Sequence, residues 1–288
     1  MIHSVERLVQ DSLELTSLPE VVVCAIDLIN DPDSSAAAIG QVIGKDPALT
    51  ARLLQIVNSP FYGFPSRIDT VSRAIAVVGT LELLDLILAT SVTKAFKGIP
   101  PELVSMDAFW DHSLYTGVVA RVLAGRQRAP NAERYLIAGL LHDIGALVMY
   151  QQIPEIAANM VRRARAELTP LHVLERDALG FDHGEVGAAL LRAWRLPDTL
   201  IEAAQAHHAP LQANAHAPRF ETVIVHLADV IACAVHEPAL EIGRVPPMES
   251  QAWDLLGLPV HSLEGIIAES DAQFAAARQA ILPHSSAA

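Results

Sequence analysis

The stretch Leu140-Leu-His-Asp-Ile-Gly-Ala-Leu-Val-Met-Tyr150 sets a histidine and an aspartate, His142 and Asp143, inside an otherwise apolar run. Working outward, four more segments repeat the arrangement: FWDHS ending at His112–Ser113, FDHGEVG with His183, AHH with His207 and His208, and HLADVIA with Asp229. Apolar residues recur at helical spacing in all of them and almost everywhere else. No sustained two-residue alternation between turn signals marks a strand. The expected fold class is all-α.

A hydrogen-bonding or charged side chain on an apolar helical face needs a buried partner, since leaving it unpaired costs about 1 to 3 kcal/mol. Seven such groups between residues 112 and 229 are affordable if they satisfy one another, and a shared metal centre does that. Imidazoles with carboxylates and no thiolate suit Fe, Mn, Zn or Ni, with Mg as an outlier. The alternatives are local: Asp143 capping the next helix, or satisfied core histidines scattered in space. His226, three residues before Asp229 on the same face, is either a partner of the site or a partly buried histidine. His172, His216, His236 and His261 show no such pattern and are assigned no role.

Helix starts are marked by Asp46 with Pro47 behind it, and by Pro197-Asp198. Breaks fall at Asn30–Asp33, Asn58-Ser59-Pro60, Gly63–Pro65, Gly98–Pro101 and Ala209-Pro210. Together they imply a dozen or so helices. Lys97-Gly98-Ile99-Pro100-Pro101 is the best boundary, dividing the chain into modules 1–98 and 99–288. The Ser/Ala tail from His284 carries no expectation.

Composition narrows the function classes. Of 288 residues, 51% are hydrophobic, with mean hydropathy +0.32, which argues for deep burial rather than disorder. The apolar run Ala74–Thr90 is interrupted by Glu82 and Asp85 and reads as core helix, not membrane span. The charged N-terminus has no signal-peptide pattern, so a cytoplasmic location is expected. A formal net charge of -13 repels a phosphate backbone, and Arg162, Arg163 and Arg165 read as a solvated face, so duplex nucleic acid is not an expected partner. Cys24 and Cys233, both in apolar contexts, read as small buried hydrophobes.

The first hundred residues hold no adjacent nucleophile and base and no phosphate loop. They read as a packing or interaction module, with a capped helix and then a turn bearing an exposed aromatic pair, Phe61-Tyr62. Leu18-Pro19, DPALTARLLQIVNSPFYG over 46–63, Ala74-Ile75 and Gly79 nevertheless occur in a specific order. That series resembles the N-terminal half of HDOD domains, the HD-related output domains of bacterial signal transduction. With the His-rich half the resemblance spans roughly 14 to 210, and a helical extension follows. It implies an N-terminal helical bundle packed on an HD-like helical domain, and a regulatory role with a signalling protein partner or a small phosphorylated ligand.

The His-rich half also resembles the HD superfamily and the HD-GYP phosphodiesterases. That resemblance implies one metal held by His112, His142, Asp143 and Asp229, with Asp143 bridging to a second held by His183, His207 and His208. Two metals about 3.5 to 4 Å apart clamp a phosphoryl group in such sites, so an HD-type metal-dependent phosphohydrolase acting on a nucleotide or small phosphoester is the alternative function. The pattern departs in three places. Ala146 stands where the HD-GYP motif has lysine, Leu211 follows Ala209-Pro210 with no GYP, and Ala108 replaces an acidic ligand that Asp107 or Asp111 would have to supply. These departures argue against cyclic-dinucleotide cleavage. Arg192, Arg195 and Lys94 are candidate charge stabilisers without motif support.

Overall fold

The computed structural model describes residues 4–13, 16, 18–31, 34–96, 98–212, 220–236 and 245–282. Pro32-Asp33, Lys97, His216 and residues 284–288 lie outside them, as does the side chain of His236. The described residues form sixteen α-helices and one 3-10 turn, with no strand among them. The count exceeds the expected dozen. The apolar run Ala74–Thr90 is two helices, because Gly79, a glycine that reads from sequence as a helix end, takes a φ of 105° and separates α5 (Val71–Val78) from α6 (Thr80–Ala95).

A first bundle comprises α2 (Glu20–Asn30), α3 (Ala36–Gly44), α4 (Pro47–Val57), α5 and α6. Asp46 caps α4, accepting from the backbone N–H groups of Ala48 and Leu49 at 2.9 and 3.0 Å, with Pro47 in the first turn. Asn58 then ties the following turn to Ile68, donating to its carbonyl and accepting from its N–H. The helix α1 (Val5–Leu13) leaves this bundle and packs on α9 (Ile144–Gln152) and α12 (His183–Ala193).

The centre is α7 (Met106–Arg126), buried on nearly every side. Leu114 and Val118 face the large core shared with the first bundle. Tyr115, Val119 and Leu123 face a second core with α14 (Phe220–His236), α15 (Ser250–Leu256) and α16 (Leu263–Ile281). Beside α7 lies α8 (Ala132–Leu141), where Gly117 and Gly139 let the two backbones touch; a Cβ on Gly117 would meet the Leu136 carbonyl oxygen. The remaining helices are α10 (Pro154–Glu167), α11 (Leu171–Leu179) and α13 (Asp198–Ala206). No single described helix is long and apolar enough to cross a membrane. The pair α5 and α6 is so only when joined, and it turns by 114°.

The Phe61-Tyr62 pair is not exposed, contrary to expectation. Phe61 is buried under the Arg121 guanidinium, 4.4 Å from its ring centre, and the Tyr62 hydroxyl donates to Glu133 at 2.8 Å. The turn thus docks on α7 and α8, exchanging solvent for a cation over a ring. Cys24 departs in the other direction and is exposed on α2.

Asp85 of α6 is almost fully buried and accepts from Arg134 of α8 at 3.2 Å. Burial pushes its carboxyl up to about 6, against the pull of Arg134. A raised folded value means that this group's stabilising contribution is complete below its ordinary 3.8 and is lost as pH rises through about 6. Asp85→Asn cannot ionise. Its stability relative to wild type should therefore improve between pH 4 and pH 8, by on the order of 3 kcal/mol in urea unfolding; a difference independent of pH would refute this.

Candidate metal centre

Helix ends bring the functional side chains together. His112 projects from the second turn of α7. His142 and Asp143 form the turn between α8 and α9, His183 opens α12, His207 and His208 follow α13, and Asp229 lies mid-way along α14. All seven sequence-predicted residues converge. The rings of His112 and His142 are 5.4 Å apart, His142 and His207 4.9 Å, and His207 and His208 3.9 Å. The scattered arrangement of a purely structural scaffold does not occur.

The carboxylates sit between the imidazoles. Asp143 places Oδ1 at 3.2 Å from His183 Nε2 and 3.3 Å from His207 Nε2, and Oδ2 at 3.3 Å from His142 Nε2. Asp229 Oδ1 lies 3.2 Å from His112 Nε2 and 3.5 Å from His142 Nε2. Asp143 heads α9 without capping it, so its carboxylate is given to the histidines. Three groups of close donor atoms result: His112, His142 and Asp143; His112, Asp229 and Cys233; and Asp143, His183, His207 and His208. Asp143 belongs to the first and the last, and His112 joins Asp229 to the first.

The far side of three of the rings is already committed. His142 Nδ1 donates to the Gly139 carbonyl at 2.7 Å, and His207 Nδ1 to the Ala204 carbonyl at 2.8 Å. His183 Nδ1 donates to Glu175 at 2.6 Å. With Nδ1 spent outward, Nε2 of His142 and of His207 faces carboxylate oxygens that only accept, so a cation belongs between them, either a proton on the ring or a metal ion, while His183 Nε2 also lies 2.8 Å from His208 Nε2. The consequence is visible in three buried atoms without a hydrogen bond: His142 Nε2, Asp143 Oδ1 and His207 Nε2.

The electrostatics reflect that convergence. Burial alone pushes His142 down, but Asp143 and Asp229 overcome it and carry the ring up to about 10. His183 is likewise raised, despite its burial, by Glu175 and Asp143. Asp143 and Asp229 resist burial and fall well below the usual carboxylate range because of the histidines around them. His208, buried and beside His207, His183 and His172, is pushed well below its ordinary value.

Sequence reasoning missed two residues, both on α11. Glu175 is 1% exposed and accepts from both the ring and the backbone N–H of His183. One turn earlier, His172 stacks on His208 with ring centres 3.9 Å apart. Neither carries a motif; a signal existed only in Glu175 sharing the apolar face of an amphipathic helix with Leu171 and Leu174. His226 proves to support the site: its Nδ1 donates to the His207 carbonyl at 2.7 Å, and its Nε2 accepts from the Glu249 N–H. Cys233 is half-buried rather than buried, with Sγ 3.5 Å from Asp229.

A cavity of about 80 Å³ adjoins the cluster, touching His112, Asp143, His183, His208 and Asp229. Ala146 lines it where the HD-GYP motif has lysine. Arg192, Arg195 and Lys94 do not reach it. Arg195 instead pairs with Asp27, and Asp111 is engaged by Arg278 at 2.6 Å.

The profile of the HDOD domain matches residues 15–210. The chain belongs to the HDOD family. Asp229 and the helices α14, α15 and α16 that complete the second core lie beyond the matched region. An uncharacterised protein of Treponema pallidum (strain Nichols) is 29% identical over 213 residues, 73% of this HDOD protein. The chain spans only 41% of that relative's length. Among solved structures, a Shewanella amazonensis SB2B protein provisionally named a phosphohydrolase superposes with a TM-score of 0.74 at 24% identity, over 98% of this chain and 100% of its own. A Geobacter sulfurreducens HDOD domain protein of unknown function gives 0.70 at 22%, over 96% and 98%. A Marinobacter aquaeolei VT8 protein provisionally named a signal transduction protein gives 0.70 at 24%, over 94% and 61%. At these identities the likeness is one of fold.

Proposed function

We propose that this HDOD protein is a signalling regulator whose second half holds a dinuclear divalent metal site, with the first helical bundle presenting a surface to a protein partner. One observation carries the metal: with their Nδ1–H groups committed outward, His142 and His207 aim Nε2 at carboxylate oxygens, and these two nitrogens and Asp143 Oδ1 are buried without a hydrogen bond. A cation is the partner that suits every one of them. His112, His142, Asp143 and Asp229 would hold one ion, and Asp143, His183, His207 and His208 the other. Bound there, a divalent ion supplies a Lewis acid that binds and polarises an oxygen ligand.

The regulatory reading is favoured over turnover by the cavity wall. Among the described residues no lysine or arginine lines it, and none of them places a cationic side chain there to stabilise a departing phosphate oxygen. Hydrolysis of a nucleotide or small phosphoester is the second reading, favoured by the open cavity beside the ligand set and by the provisional name of the Shewanella protein.

Protein purified without chelators is expected to carry about two equivalents of transition metal by elemental analysis, and to give no robust turnover in phosphatase and phosphodiesterase screens. Absence of metal, with none gained on reconstitution, defeats the proposal. Robust turnover that disappears in His142→Ala transfers it to the hydrolase. Glu175 offers an independent check, because the carboxylate that orients a liganding imidazole typically contributes 10- to 100-fold in affinity. Glu175→Gln should lose metal to a competing chelator at least about tenfold more readily than wild type; equal retention would mean that Glu175 serves only folding.

A further inference from the structure

The cavity beside the proposed metal site has a second wall that the ligand set does not explain. Opposite the histidines and aspartates it is apolar, formed by Val104, Phe109, Ala146, Pro170, Leu171 and Pro246. A pocket meant for a phosphate dianion would be expected to offer guanidinium or ammonium groups, and among the described residues this lining has neither. Three polar groups outside the ligand set also line it, His172, Cys233 and Tyr150. Tyr150 lines the cavity, is only 4% exposed, and its hydroxyl makes no hydrogen bond to any described residue. It lies two helical turns beyond Asp143 on α9, hence on the same face. A ligand in the cavity that carries an acceptor could take a hydrogen bond from this hydroxyl.

Charge sets the ligand's valence. Two divalent ions bring four positive charges; Asp143, Asp229 and the adjoining Glu175 return three when the histidines are neutral. One negative charge balances the centre. The limited volume restricts what can follow the charged head.

We propose that this cavity binds a short-chain aliphatic carboxylate, with its head held at the metal site and by the Tyr150 hydroxyl, and its hydrocarbon body against Phe109, Val104 and Leu171. The assignment rests on the metal site proposed above. It makes the second half of the protein a receptor for a small organic acid rather than for a nucleotide. Burial and the neighbouring Glu175 and Asp143 raise the Tyr150 phenol well above its ordinary range, which keeps it a donor.

Isothermal titration of the metal-loaded full chain with propionate, butyrate, hexanoate, inorganic phosphate and AMP tests this, with metal content measured on the same samples. Affinity should rise about fourfold per added methylene up to the length that the cavity accepts, and hexanoate should outbind phosphate and AMP. Tyr150→Phe should retain its metal and weaken hexanoate about tenfold. Phosphate or AMP binding more tightly than hexanoate overturns the proposal, as does affinity independent of chain length or of Tyr150 in metal-replete protein. Protein devoid of metal overturns the metal site itself, a failure that elemental analysis separates from the others.

Discussion

Asp143→Asn is expected to strip the protein of both metal ions. Asparagine keeps the shape of the side chain but removes the charge and replaces one acceptor oxygen with a donor. Asp143 Oδ1 faces two imidazoles and Oδ2 a third, so the substitution acts at once on both groups of donor atoms that contain it. Loss of a bridging ligand should exceed the 10- to 100-fold typical of an orienting partner, leaving well under about a tenth of an equivalent bound after dialysis. Stability provides a second readout. A ligand present at about a thousand times its Kd adds about 4 kcal/mol, which in a chain of this size is a Tm shift of roughly 8 °C. A chelator should therefore lower the wild-type Tm by about that much and leave Asp143→Asn unchanged, while the surface variant Asp111→Asn behaves as wild type. Full metal content in Asp143→Asn would remove Asp143 from the ligand set.

The helical class and the convergence of the seven residues were legible because both are written in local pattern. Helical periodicity repeats every turn, Asp46 and Pro47 mark a helix start by their own chemistry, and polar groups on apolar faces announce that they must meet. What stayed hidden depends on contacts between distant segments. Phe61 and Tyr62 read as a turn's exposed aromatics because nothing near them in sequence states that Arg121 and Glu133 lie opposite. Glu175 and His172 occupy an ordinary amphipathic helix, and only the docking of α11 against α12 gives them His183 and His208. Cys24 sits in an apolar run whose periodicity does not say which side faces inward. The cavity was beyond reach for the same reason, since its walls come from segments as far apart as Val104 and Pro246.

Gly145→Ala should be the most damaging single-methyl change in the second half. The helix α9 begins beside the start of α12, and a Cβ on Gly145 would run into the His183 carbonyl oxygen and the Gly187 backbone nitrogen. Both obstacles are backbone, so no rotamer change relieves them; α9 and α12 must move apart. Overpacking commonly costs about 1 to 3 kcal/mol, and a clash with two backbone atoms belongs at or above the upper end. The separation also acts on the site, because His183 opens α12 while Asp143 precedes α9 by one residue, and their 3.2 Å approach depends on that contact. Chemical unfolding should show a loss of about 3 kcal/mol or more, and any folded fraction should hold metal more weakly than wild type. Gly98→Ala supplies the contrast: that glycine has a φ of 77° but open space around it, so strain there should lower stability without changing metal affinity. If Gly145→Ala matched wild type in both measurements, α9 and α12 could not be in the contact that delivers His183 to Asp143.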